Sequence, residues 1–166
     1  MATMRRKVAQ VARYSIDTSS LIHAWRRAYP PENFVSFWSK LDEYVAAGII
    51  VASTEVKAEM KRKDDDLHIW FDSRPAGFCV DIDDVQQQHM AYILGKHPRL
   101  VDTVKGRSGC DPFVIALARS YASPLTVISQ EIGGSLDRPK IPTVCRAEKM
   151  QCVDLVGFIQ AEQWRL

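Results

Sequence analysis

Short β-branched runs alternate along this chain with longer amphipathic stretches, and that alternation limits the fold more than any other feature. It is the signature of an α/β domain with a mostly parallel sheet. A first strand is expected over residues 13–17 and a helix over 19–28, which Pro30-Pro31 ends. The next helix carries Phe34, Phe37, Trp38, Leu41 and Val45 at spacings of three and four, one apolar face, and Gly48 closes it. Residues 49–52 read as a second strand. One long polar helix is expected over 54–73, as far as the loop Pro75-Ala76-Gly77. Helices follow at 83–95 and just after Pro98, then a loop at 106–110 and a helix from Asp111 to 122. A third strand falls at 125–129. The loop around Gly133-Gly134 and a segment at 143–150 lead to a short strand at Cys152-Val153, and a last helix runs to Trp164.

With 166 residues, the chain holds one domain comfortably and two poorly. We assign residues 1–12 to a lead-in, expected to lack order, and 13–166 to a single domain. Hydrophobic residues at 46% supply a core that needs no metal or disulfide to hold it. The net charge of +2 does not by itself announce a polyanionic partner, although a local segregation of charge still would. Four cysteines (79, 110, 145, 152) form no C-x-x-C pair, and the histidines (23, 68, 89, 97) stand at no zinc-ligand spacing. Cysteines scattered among apolar residues read as reduced core residues of a cytoplasmic protein. No apolar run approaches the ~18 residues of a membrane span. Arg5, Arg6 and Lys7 precede no apolar segment of the secretory kind.

Four acids fall where chemistry in such folds sits. Asp17 closes the first strand, in Tyr14-Ser15-Ile16-Asp17-Thr18-Ser19, and ligands of open α/β sheets bind outside the carboxyl ends of strands. An N-cap for the following helix is an equally good reading of Asp17 taken alone. Glu59 lies on the helix after the second strand, with Glu55 a rival one turn away. Asp111-Pro112 is a helix start, with Asp at the N-cap and Pro at the first helical position. Glu131 follows the third strand. The reason to gather such acids is a hard divalent cation, since Mg²⁺ or Mn²⁺ takes carboxylate oxygens and water. Such a cation activates water and clamps a phosphodiester. Without it, crowded carboxylates raise one another's pKa values.

Residues 15–22, Ser-Ile-Asp-Thr-Ser-Ser-Leu-Ile, resemble the opening strand and turn of PIN domains, and within them the VapC-type toxins of prokaryotic toxin–antitoxin pairs. Residues 53–60 resemble that family's Ser…Ala-Glu segment, which selects Glu59 over Glu55. Residues 111–118 resemble its Asp-x-x-Ile-Ala-x-Ala helix, and 127–131 its Val-Thr-Asn-Asp strand end, with Gln130 for Asn and Glu131 for Asp. The resemblance implies a three-layer α/β/α domain and an endoribonuclease dependent on Mg²⁺ or Mn²⁺. Asp17 and Asp111 would be the principal ligands, with Glu59 and Glu131 completing the shell. It also implies an RNA substrate, a homodimer and a cognate antitoxin, and it gives Ser19 a hydrogen bond to a metal ligand or to the scissile phosphate. Arg26 and Arg107 are candidate phosphate contacts, with a solvated surface the simpler reading of each. Trp25, Trp38, Trp70 and Trp164 sit at helical positions and are assigned to core or interface. A dehalogenase-type phosphatase would need an acid where Ser19 stands. The alternative kept open is a catalytically silent PIN-like module that binds RNA or protein.

Overall fold

The computed structural model describes residues 10–101 and 109–166. Five short strands among them form one parallel sheet: β1 (Tyr14–Ile16), β2 (Ile50–Ser53), β3 (Cys79–Val80), β4 (Thr126–Ile128) and β5 (Cys152–Val153), in the order β3-β2-β1-β4-β5. Ser15 lies opposite Val51 on one side and Val127 on the other. Every residue of β1 and β2 is buried, as expected of strands covered on both faces. The chain first builds outward from β1 to β2 and β3, then returns to the other side of β1 to add β4 and β5. The order therefore reverses between β1 and β4, which opens a crevice at their carboxyl ends.

The helices follow from the same alternation. Adjacent residues of β1 point to opposite faces. The Ser15 hydroxyl donates to the Val114 carbonyl (3.1 Å) in α6 (Asp111–Ser120), while the Tyr14 ring packs on Phe158 (4.9 Å between centroids) in α8 (Leu155–Ala161). On the α6 face, α5 (Asp84–Lys96) and α7 (Ile141–Ala147) pack alongside. Val114, Ile115 and Leu117 of α6 are fully buried, each contributing roughly 1.5–3 kcal/mol relative to exposure. On the α8 face, α2 (Val35–Ala46) brings Phe37 and Trp38 into an aromatic cluster. Trp25, Trp38, Trp70 and Trp164 all pack into this region through edge-on ring contacts, Trp38 and Trp164 buried and Trp25 and Trp70 partly so, in keeping with their assignment to core or interface. Gly48, at φ +73°, ends α2 in a left-handed conformation that a side chain would strain.

Four local readings are corrected. The helix expected over 54–73 is two helices, α3 (Thr54–Lys63) and α4 (Asp65–Asp72), broken at Asp64. Asp64 is extended (φ −158°, ψ 108°), and its carboxylate accepts from the Leu67 N–H (3.1 Å), so a strong N-cap restarts the helix where the pattern alone continued it. The edge strand β3 was not anticipated. Asp111 is the first residue of α6, with Pro112 next; Cys110 precedes it at φ −81°, ψ −27°. The first helix also splits. It runs as α1 (Thr18–His23) and closes in a wider π turn (Ala24–Ala28), where the Tyr29 N–H bonds the Ala24 carbonyl (2.8 Å). Most of the expected lead-in lies outside the described residues. Gln10, within them, brackets the Ser123 backbone with both ends of its amide. Among the described residues, no helix is long and apolar enough to cross a membrane.

Candidate functional site

Asp17 leaves β1 at the reversal of strand order, and its own N–H bonds the Ile128 carbonyl of β4 (2.9 Å). Both strands therefore fix its position. The carboxylate is buried, and two hydroxyls converge on its Oδ2: Ser19 donates at 2.5 Å and Ser129 at 3.2 Å. Each serine is oriented from behind by backbone. The Gln130 N–H donates to Ser19 (3.0 Å) and the Glu131 N–H to Ser129 (3.2 Å), so the turn after β4 feeds two donor chains into one oxygen. Burial raises the Asp17 carboxyl from its ordinary 3.8 to about 6; the Ser19 hydrogen bond opposes the rise, and the nearby charges of Glu131 and Glu59 add to it. Burial leads this rise and the neighbouring acids add only a smaller part, so crowding alone does not account for it.

Glu59 reaches the same crevice from α3. Burial would raise its carboxyl, but Lys63, Thr18 and the Cys110 thiol hold it below the usual range. Lys63, one turn along α3, makes an ion pair with Glu59 Oε1. Asp111 enters at the start of α6 and is buried. Cys110, just before it, is the common neighbour: Asp17, Glu59 and Asp111 all lie within electrostatic reach, and together with burial they push its thiol up. Glu131 stands close enough to act on Asp17, but its Oε2 accepts from the Ile141 N–H (2.9 Å) at the start of α7. A carboxylate there satisfies a helix-end donor and meets the positive end of the helix dipole. Gln130 does the same for α8, accepting from the Leu155 N–H (3.1 Å).

The four acids expected from the sequence thus share one electrostatic neighbourhood at the carboxyl end of the sheet. Their oxygens are the donors a hard divalent cation takes, and Asp17 carries the destabilised charge that such a cation would relieve. Yet among the described residues no three acids, histidines or cysteines stand together as a ready-made metal cage. Glu59 is engaged by Lys63, and Glu131 by the Ile141 N–H. Arg26 spans the break between α3 and α4 rather than facing the crevice unpartnered: it donates to Asp64 Oδ2 (2.8 Å) and to the Lys63 carbonyl (2.7 Å). Arg107 lies outside the described residues. Sequence reasoning missed Ser129, Cys110 and Lys63. The signal for Ser129 was its place at the end of β4, facing an acid at the end of β1. A cleft of about 450 Å³ beside β3 contains none of the four acids, and its cations are matched, Lys57 by Asp72 and Arg74 by Asp42.

A family model described as a domain of unknown function (DUF4411) matches residues 14–166. Among solved structures, the chain is similar to FitAcB from Neisseria gonorrhoeae, at 17% identity over 84% of this chain and 96% of that one, with a TM-score of 0.50. At that identity the likeness speaks for the fold, a three-layer α/β/α PIN-like domain with a parallel sheet. No curated protein matches the chain.

Proposed function

The chain belongs to the DUF4411 family, and on that premise we propose that it is a metal-dependent endoribonuclease, the toxin of a toxin–antitoxin pair. The observation that carries the reading is Asp17. It is a carboxylate buried at the reversal of strand order, raised to about 6, with two other acids acting on it and, among the described residues, only hydroxyls donating to it. Such a group costs stability at neutral pH, and a divalent cation repays it. The motif resemblance at residues 15–22 and 111–118 and the PIN-like fold point the same way.

In this reading Asp17 and Asp111 hold Mg²⁺ or Mn²⁺, with Glu59 and Glu131 completing the shell or orienting water. The bound cation supplies the activation of water and the charge that clamps a phosphodiester. The protein's own residues do the rest. Ser19 and Ser129 fix the Asp17 carboxylate in one rotamer, and the turn after β4 fixes the serines. Depth in the crevice keeps bulk water from screening the acids. In this reading a cognate antitoxin blocks the site, and the protein acts as a cytoplasmic homodimer.

The test is incubation of labelled structured RNA with Mn²⁺, Mg²⁺ or EDTA, beside an Asp111→Asn variant. Cleavage should require the cation and fall about 100-fold or more in the variant, the scale of losing a group that stabilises transition-state charge. A second reading, a silent module that binds RNA or protein, draws on the engagement of Glu131 with α7 and of Glu59 with Lys63. It expects no cleavage by folded protein, and binding indifferent to Asp111→Asn.

A further inference from the structure

We propose that Lys63 is the built-in counterion of the acid site: its ammonium holds Glu59 until a divalent cation displaces it, and so sets how much cation the site needs. The inference rests on the reading of these acids as a divalent-cation site. A Glu–Lys pair one turn apart on an exposed helix face contributes little. This pair is different in two respects. Its carboxylate is not on an exposed face: the Glu59 side chain is 16% exposed and lies within electrostatic reach of Asp17. Its ammonium is delivered from a fixed backbone. The helix stops at Asp64, and Arg26 pins that end through both the Lys63 carbonyl and the Asp64 carboxylate.

The Lys63 side chain is itself 52% exposed, so it can swing into solvent when Glu59 turns to another partner. Ammonium and divalent cation compete for one carboxylate, and whatever one gains in holding Glu59 the other must overcome. Removing the ammonium should therefore strengthen cation binding, the opposite of what a purely structural helix pair predicts.

Calorimetric titration with Mn²⁺ tests this on the wild-type protein, on Lys63→Met and Lys63→Arg, and on the same changes made together with Glu59→Gln. Lys63→Met should bind Mn²⁺ roughly two- to fivefold more tightly, the range of a surface to half-buried ion pair. Lys63→Arg should stay near the wild type. In the Glu59→Gln background, Lys63→Met should change nothing. Unchanged or weaker Mn²⁺ binding by Lys63→Met overturns the inference and leaves the metal reading standing. The same gain in the Glu59→Gln background also overturns it, since Lys63 would then act by distant charge alone. A wild-type protein that binds no Mn²⁺ removes the metal-dependent reading itself, and this inference with it.

Discussion

The two ends of β1 carry two largely buried carboxylates, Asp17 and Glu162, that accept hydroxyl hydrogen bonds in similar fashion and reach opposite electrostatic states. Glu162, just past α8, accepts from the phenols of Tyr14 and Tyr44 (2.7 Å for Tyr44) and from Arg13 (2.9 Å). Burial would raise it, yet those three donors hold it below the usual carboxylate range. Asp17 accepts from two serines but has two other acids acting on it, and it is raised to about 6. Hydroxyls alone do not make a buried carboxylate comfortable; a cation does. One end of the strand is a brace that ties α2 and α8 to β1. At the other, only hydroxyls among the described residues donate to Asp17, which leaves the imbalance the proposed cation would relieve.

Replacing Asp17 by Asn breaks this comparison most sharply. Cation-dependent cleavage should fall by at least about 100-fold. Stability should move the other way. The folded protein takes up the Asp17 proton at higher pH than the unfolded chain does, so this group lowers stability as pH rises from about 4 through about 6. A rise from 3.8 to about 6 corresponds to roughly 3 kcal/mol lost at neutral pH. Denaturant melts in EDTA should show Asp17→Asn more stable than the wild type by about 1–3 kcal/mol at pH 8, with the gain gone at pH 4. A variant less stable at pH 8 would place Asp17 with Glu162 as a structural acid.

Glu162→Gln is the counterpart. Its lowered value gives stability that is present above the ordinary carboxylate range and lost as pH falls through it. Loss of the charge leaves two phenols and a guanidinium with a weaker partner, and should cost about 2 kcal/mol at pH 7. For a chain of this size that is a fall in Tm of about 4–8 °C. RNA cleavage at a permissive temperature should be unaffected. The two variants thus part on both axes: one gains stability and loses activity, while the other loses stability and keeps activity.

What the sequence disclosed about these ends follows from how local each signal is. Asp17 and Asp111 were legible because each sits in a motif of eight consecutive residues, and the strand before Asp17 reads directly from Tyr14-Ser15-Ile16. The engagement of Glu131 was not, because its partner is the start of α7, ten residues on, and nothing near Glu131 encodes that approach. Lys63 was hidden in the run Lys61-Arg62-Lys63-Asp64-Asp65-Asp66, which reads as solvated surface although one member pairs with a largely buried carboxylate. The strand β3 has two residues, too few to show a period. The brace was invisible for the same reason as Glu131: Arg13, Tyr14 and Tyr44 meet Glu162 from positions more than 100 residues away.

The gentlest change sharpens the comparison by removing one hydroxyl from each end. Tyr44→Phe deletes one donor to Glu162, and Ser129→Ala one donor to Asp17. Each should cost about 1 kcal/mol where the acid is charged, the net worth of one hydrogen bond. Their pH dependences differ. Tyr44→Phe moves Glu162 back toward the ordinary range, so its cost is present across neutral pH and fades only in acid. Ser129→Ala removes a bond that favours the charged form of Asp17, so Asp17 titrates still higher and the cost appears only above about pH 6. Added Mn²⁺ should diminish the Ser129→Ala cost and leave that of Tyr44→Phe in place. A cation can stand in for a missing donor at an unbalanced carboxylate, whereas Glu162 already has Arg13. Equal responses to Mn²⁺ at both ends would mean that the cation binds elsewhere on the protein, and that the imbalance at Asp17 serves some purpose other than holding it.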